Sequence, residues 1–160
     1  GYNYRMTNIN AAVGLAQLER LEEMVSAKRA IAARYDTAID GRSDLLSMPR
    51  PAHSVSTCWL YSVVAVSEAA AQKLVAAMEE AAIEARIFWR SLSVQAPWVG
   101  TPRTLGGLSQ ALSGCVVSLP SSSSLTPSDQ DRVLKALSKW RGASSSETIV
   151  KSDSTQYAAG

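Results

Sequence analysis

A side-chain amide at Asn3 and a guanidinium at Arg5 stand two residues apart at the start of the chain, flanked by Tyr2 and Tyr4. An amide offers hydrogen-bond donors to a dianion without adding a full charge, and the planar fork of arginine fits phosphate or carboxylate. On residue type alone, Asn3 reads as a turn or cap residue and the two tyrosines as packing beside a helix start. Trp89 and Arg90 form a second pair, which by type alone is a core aromatic followed by a solvated charge. The remaining reactive side chains argue for little chemistry. His53 is the single histidine and follows Pro51 and Ala52, so it belongs to a loop and makes a poor general base. Cys58 and Cys115 have neither metal-ligand spacing nor the density of a disulfide scaffold, so buried free thiols are expected. The serines at 121–124 lack the glycines that let backbone amides converge on a phosphate, and read as a connector. Lys28, Lys73, Lys135, Lys139 and Lys151 fall on segments that read as solvent faces of helices or as tail.

Composition narrows the setting for these groups. A length of 160 residues suits one domain, and 46% hydrophobic with 19% charged residues is enough to build a core. The net charge of +2 comes from 16 basic and 14 acidic residues scattered along the chain, without the basic stripe that nucleic acid or an anionic membrane surface requires. No apolar run approaches the roughly 20 residues that span a bilayer, and the start lacks a signal-peptide pattern, so the expectation is a cytoplasmic protein that binds neither nucleic acid nor membrane.

The elements that must position the candidate groups follow from periodicity. Thr7 or Asn8 can cap a helix whose Leu15, Leu18, Leu21 and Val25 share one face; the pattern resumes with Ile31, Tyr35, Ala38 and Ile39, against Lys28, Arg29 and Arg34, and stops at Asp40-Gly41. This is one long helix or two in tandem. Residues 59–66 form a valine- and aromatic-rich run expected to be a buried strand. Ser67 caps a helix with Leu74, Val75, Met78 and Ala82 inward, and residues 84–89 are expected to be a second strand. Residues 91–104 read as a long loop, 105–113 as a short helix weakened by Gly106 and Gly107, and 115–119 as a strand. The last helix has Thr126 at its N-cap, Pro127 at the first helical position, Asp129 reaching back, and Val133, Leu137 and Trp140 as its buried stripe. Residues 142–160, rich in serine and alanine without periodicity, are expected to be a disordered tail. The sum is an α/β fold, a sheet of three or so strands with helices on one face and a long N-terminal helix.

The octapeptide Gly1-Tyr2-Asn3-Tyr4-Arg5-Met6-Thr7-Asn8, running into an alanine-rich helix that ends in Gln17-Leu18, resembles the segment with which the DegT/DnrJ/EryC1/StrS family of sugar aminotransferases begins its C-terminal part. Three further stretches are similar to the family in the family's order: the helix from Lys28-Arg29 to Tyr35, the strand and loop at 83–98, and Ser118-Leu119-Pro120-Ser121 through Leu125-Thr126 into Asp129-Gln130. The resemblance covers about residues 1–138. It implies that residues 1–141 are the small C-terminal domain of a fold-type I aminotransferase, with residues 1–8 as an arm that crosses to a second subunit.

The resemblance also implies roles. Asn3 would donate its amide hydrogens to the phosphate of pyridoxal 5'-phosphate in the partner's site, and Arg5, Trp89 and Arg90 would contact substrate. Ser91 and Ser93 stand where relatives often carry proline and histidine, which puts the sugar contacts in doubt because serine is shorter and does not titrate near neutrality. The implied reaction is amination of a keto-sugar nucleotide, UDP-linked 4-keto by closest likeness, with glutamate as donor, in a homodimer, for cell-surface polysaccharide or glycan synthesis. None of the five lysines sits in the family's lysine motif. The cofactor would then be held mainly by residues outside this chain, roughly 200 of them expected before Gly1, and the fragment alone would be inactive. Two other readings stay open: a non-catalytic dimerisation module or truncated remnant, and a parent that is a sugar dehydratase of the same family.

Overall fold

Thr7 starts the first helix, α1 (Asn8–Leu18), as its hydroxyl accepts a hydrogen bond from Asn10 N at 3.2 Å. The computed structural model describes residues 4–102 and 107–142. At the end of α1 the chain tightens: Arg20 N donates to Gln17 O at 3.2 Å, three residues back, and Arg20 leaves the helical region at φ −108, ψ 6. The tandem arrangement is thus the one adopted, and α2 (Leu21–Ile39) begins beyond the break. It closes at Asp40, with Gly41 at φ +68, the left-handed position that a glycine takes without strain.

Four strands follow in an antiparallel sheet, β1 (Leu45–Ser47), β2 (Tyr61–Ala65), β3 (Arg86–Ile87) and β4 (Val116–Leu119), in the order β1-β2-β4-β3. The sequence predicts three or so strands and misses β1, which has three residues and buries only Leu45. The strand expected at 59–66 loses its first two residues, because the chain bends before it, and its last, Val66. The strand expected at 84–89 contracts to two residues, although Phe88 N still reaches Val116 O at 2.8 Å. Between the strands lie α3 (Glu68–Glu80), two short 3₁₀ turns (Leu92–Val94 and Ala96–Trp98), α4 (Leu108–Leu112) and finally α5 (Pro127–Lys139).

The core lies between one face of the sheet and α2, α3 and α5. Tyr61, Val63 and Ala65 of β2 alternate inward with Val117 and Leu119 of β4, against Ile31, Tyr35 and Ile39 of α2 and Leu74 and Met78 of α3. Val133, Leu137 and Trp140 close it from α5, as predicted. Two inward assignments are wrong. Ala38 is exposed while its neighbour Ile39 is buried, and Ala82 is exposed while Ile83 takes the inner place. A larger correction concerns α1: Leu15, Leu18 and Leu21 remain 60%, 65% and 45% exposed, and α1 buries no residue at all. Among the described residues its apolar side chains find no surface that buries them.

Polar contacts fix the ends of the layers. Arg42 pairs with Asp44 through two bonds of 2.7 and 2.8 Å and also donates to Leu137 O and Trp140 O, so the α2–β1 corner holds the end of α5. Gly142 N donates to Asp44 Oδ2 at 2.8 Å, which ties down the first residue of the expected tail; residues 143–160 lie outside the described residues. The hydrogen bonds from Arg42 hold the Asp44 carboxyl below its ordinary range, outweighing burial. Asp36, on α2, accepts from Arg50 at 2.6 and 3.2 Å and from the Tyr61 phenol at 2.8 Å. Burial alone would push the Asp36 carboxyl up, but those bonds and the Arg50 charge outweigh it and bring it below the ordinary range.

Two predictions follow from this packing. Ala82 sits at φ +55 in a helix C-terminal motif in which Ala82 N and Ile83 N cap the carbonyls of Glu79 and Met78 at 2.8 and 2.9 Å. Left-handed backbone disfavours a Cβ by roughly 1–2 kcal/mol, partly offset by the unfolded-state freedom of glycine, so Ala82→Gly should raise stability by about 0.5–1 kcal/mol in urea denaturation. Asp36 and Asp44 are depressed in the fold, so their contribution is complete above the unfolded carboxyl value, about 4, and is lost as pH falls through the lower folded values. Asp44→Asn should therefore be less stable than the parent at pH 7, and the gap should close as a series of denaturation curves is carried down toward pH 2.

Candidate functional site

The residues that face outward with chemical potential gather around the entry to β2 and the exit from β3. Arg29 Nε donates to Ser56 O at 2.9 Å, and Cys58 N donates to Ser56 Oγ at 3.0 Å. Cys58 itself has φ +53, a left-handed conformation that costs a non-glycine residue about 1–2 kcal/mol. Immediately after it, Lys28 Nζ donates to Trp59 O at 2.8 Å and to Ser121 O at 2.7 Å. Tyr61 N donates to Ser121 Oγ at 3.2 Å, so the serine run begins with a buried structural contact and is a connector, as expected.

These contacts correct the reading of α2. Lys28, Arg29 and Arg34 are tethered and not merely solvated, although Arg29 stays exposed. Lys28 and Arg29 hold the segment before β2, and Arg34 donates to Gln130 Oε1 at 2.9 Å and pairs with Asp131 of α5. Gln130 is buried and passes the connection on, donating to Ile31 O at 2.8 Å.

Trp59 is turned out of the strand by this bend. It is 62% exposed, and its ring lies 6.1 Å from that of Trp89, tilted by 56°. Trp89 is 69% exposed and is not a core residue; it also meets Phe88 at 5.2 Å. Arg90 is exposed, and its carbonyl accepts from Gln95 Nε2 at 3.0 Å, which folds the loop back toward it. The loop is further stitched by Ser91 Oγ, within 2.9 Å of Ser93 Oγ and 3.2 Å of Ser109 Oγ. The two serines that replace proline and histidine of the resembling pattern thus bond each other. Trp59 was missed as a surface residue because it extends an apolar run into Leu60 and Tyr61, and neither glycine nor proline marks the bend.

Arg5 is exposed, in chain without regular secondary structure ahead of α1. Asn3 and Tyr2 lie outside the described residues. The structure therefore brings Trp89 together with Trp59, with Arg90 next to Trp89 in the chain and exposed, while Arg5 belongs to a separate segment. Both cysteines are free and half-buried, less enclosed than expected. Burial, reinforced by Glu68, pushes the Cys115 thiol up, so it stays protonated at neutral pH. Tyr61 is likewise pushed up, by burial first and then by the bond to Asp36, and keeps its proton as a donor.

The described lysines do not fit the covalent anchor of an aldehyde cofactor. The Lys28 ammonium is engaged by two carbonyl oxygens, and Lys73, Lys135 and Lys139 lie on exposed helix surface. Lys151 is outside the described residues. Among the described residues no group of three or more His, Cys, Asp or Glu side chains could hold a metal ion, and no helix is long and apolar enough to cross a membrane.

Comparison with known proteins gives the family and the fold. EpsN of Bacillus subtilis (strain 168), whose name describes a pyridoxal phosphate-dependent aminotransferase, is 34% identical over 141 residues, covering 86% of this chain and 36% of that protein. GDP-perosamine synthase of Caulobacter vibrioides (strain ATCC 19089 / CIP 103742 / CB 15) is 29% identical over 141 residues, 86% of this chain and 38% of that one. The crystal structure of the sugar aminotransferase CalS13 from Micromonospora echinospora superposes with a TM-score of 0.76 at 24% identity, over 88% of this chain and 37% of that one, and so shares the fold of the fold-type I sugar aminotransferases. The chain spans little more than a third of the length of these relatives. The sequence pattern of the DegT/DnrJ/EryC1/StrS aminotransferase family matches residues 1–138, and the chain belongs to that family.

Proposed function

We propose that residues 1–141 are the small C-terminal domain of a transaminase that uses pyridoxal 5'-phosphate to aminate a keto-sugar nucleotide, and that residues 1–8 reach into the active site of a second, identical subunit. The observation that carries this reading is the family match over residues 1–138. Bound pyridoxal phosphate supplies an electron-withdrawing ring through which an amino group passes between an amino acid and a keto sugar. The cofactor is held mainly by residues outside this chain, since none of the described lysines suits its carbonyl.

Within the reading, each candidate residue has a task. Asn3 donates its amide hydrogens to the cofactor phosphate across the subunit interface, and Arg5 meets an anionic group of the substrate beside it. Trp89 and Arg90 face the nucleotide sugar, a role supported by their exposure at the exit of β3. The exposed leucines of α1 support the dimeric part of the proposal, because apolar side chains at 60–65% exposure gain by meeting another apolar surface. Glutamate is the donor and a 4-keto hexose the acceptor. Sequence likeness leans toward a UDP-linked sugar, while the GDP-perosamine synthases among the relatives make a GDP-linked sugar the other acceptor to assay.

In the full-length protein, glutamate-dependent amination of a UDP- or GDP-linked 4-keto hexose should be detectable by mass spectrometry of the product. Absence of transfer to either class would end the proposal. Asn3→Ala should weaken retention of pyridoxal phosphate about 10- to 100-fold, as expected for losing a hydrogen bond to a charged group, measured by dialysis and absorbance. Residues 1–160 alone should give no turnover and no borohydride-stable adduct on a lysine.

A further inference from the structure

Two tryptophans held side by side at the surface, one of them by strained backbone, are an unusual thing for a domain to maintain. Trp59 precedes β2 and Trp89 follows β3, strands separated by β4, so their pairing is made by the tertiary fold and not by sequence neighbourhood. Tryptophan normally gains by burial, and the run Trp59-Leu60-Tyr61 could have continued the strand inward. Instead the left-handed Cys58 turns the chain, Arg29 holds the carbonyl of Ser56 before it, and Lys28 holds the carbonyl of Trp59 after it. A non-glycine residue is kept in that conformation only where its surroundings over-determine it, and such positions gather at binding sites. Both indoles stay more than 60% exposed, tilted by 56° to one another, with the Arg90 backbone continuing directly from Trp89.

We propose that Trp59, paired with Trp89, is a stacking surface for the base of the nucleotide sugar, with Arg90 beside it for the diphosphate; this rests on the substrate class proposed above and adds Trp59 as a determinant of nucleotide affinity. A nucleobase is a flat π-system, and an indole stacks on any base with little dependence on its edge groups. The diphosphate that follows the base carries charge that a guanidinium fork can pair. Trp59 and Trp89 thus offer a base a flat apolar contact, and the exposed Arg90 follows Trp89 directly in the chain.

The test uses the full-length holoenzyme and three probes: UDP, GDP and inorganic pyrophosphate, titrated by calorimetry and by tryptophan fluorescence. Trp59→Ala should weaken both nucleoside diphosphates about tenfold while leaving pyrophosphate unchanged, as loss of one base-stacking contact predicts, and Trp59→Phe should recover most of the affinity. Fluorescence of the parent should be quenched by UDP or GDP and not by pyrophosphate. The inference is overturned if Trp59→Ala binds the nucleotides as the parent does, or if it loses pyrophosphate to the same extent, which would mean a purely structural role. Should the alanine variant fail to fold, an unquenched parent or a Trp59→Phe variant with no affinity would have the same force. An enzyme that aminates its keto-sugar nucleotide yet shows unchanged binding in Trp59→Ala defeats this inference alone; one that transfers no amino group defeats the function proposed above.

Discussion

The ammonium group of Lys28 lies between the carbonyls of Trp59 and Ser121, and the arrangement of the outward-facing surface depends on it. One carbonyl belongs to the segment entering β2 and the other to the segment leaving β4, so a single cation on α2 fixes the helix against both chain ends of the central strand pair. Charge-assisted hydrogen bonds to carbonyls are stronger than neutral ones, and here they act where the pairing of β2 with β4 begins, at Tyr61 opposite Leu119. Tyr35, one helical face further along α2, continues the same seam: its phenol donates to Pro120 O at 2.8 Å and its ring lies 4.7 Å from that of Tyr61. Burial pushes this phenol well above its ordinary value, so it keeps its proton and remains a donor at neutral pH. Helix α2 is thus both the hydrophobic wall of the core and the source of the polar ties that shape the surface.

That double role explains why the site was less legible than the fold. Local signals were read correctly where both partners are close in sequence. Thr126 accepts from Asp129 N at 3.1 Å and donates to its carboxylate at 2.6 Å, Ser67 caps α3 through Ala70 N, and Asp40-Gly41 ends α2. The helix-on-sheet architecture, Leu74 and Met78 of α3 and the inward residues of α5 follow from the same periodicity. The ties of Lys28, Arg29 and Arg34 reach across 31, 27 and 96 residues respectively, and nothing in a helical charge pattern distinguishes such a cation from a solvated one. Cys58 shows the same limit for backbone: a left-handed turn normally announces itself with glycine or asparagine, and this one does not. Exposure of Trp59 and Trp89 could not be read from type, since both lie in runs that look like buried strand.

Family likeness and bottom-up reading contributed different things. Likeness set the functional class, and the comparisons bear out the family over residues 1–138. It pointed to Asn3, which lies outside the described residues, and to Arg5, Trp89 and Arg90. The physical reading of contacts added Trp59 and the tethers that turn it outward, features that arise from the particular way this chain enters β2.

The shortness of the outer strands has its own consequence. At one margin of the sheet β1 has three residues and at the other β3 has two. Unpaired backbone groups on so short a margin offer a poor template for another chain to add on, which guards against fibril-like growth. Self-association of the kind proposed above would then fall to the apolar flank of α1, where attraction is non-directional and owes little to ionic strength. Association of that kind loosens on cooling and survives added salt, the reverse of what a contact built on charge pairs would do.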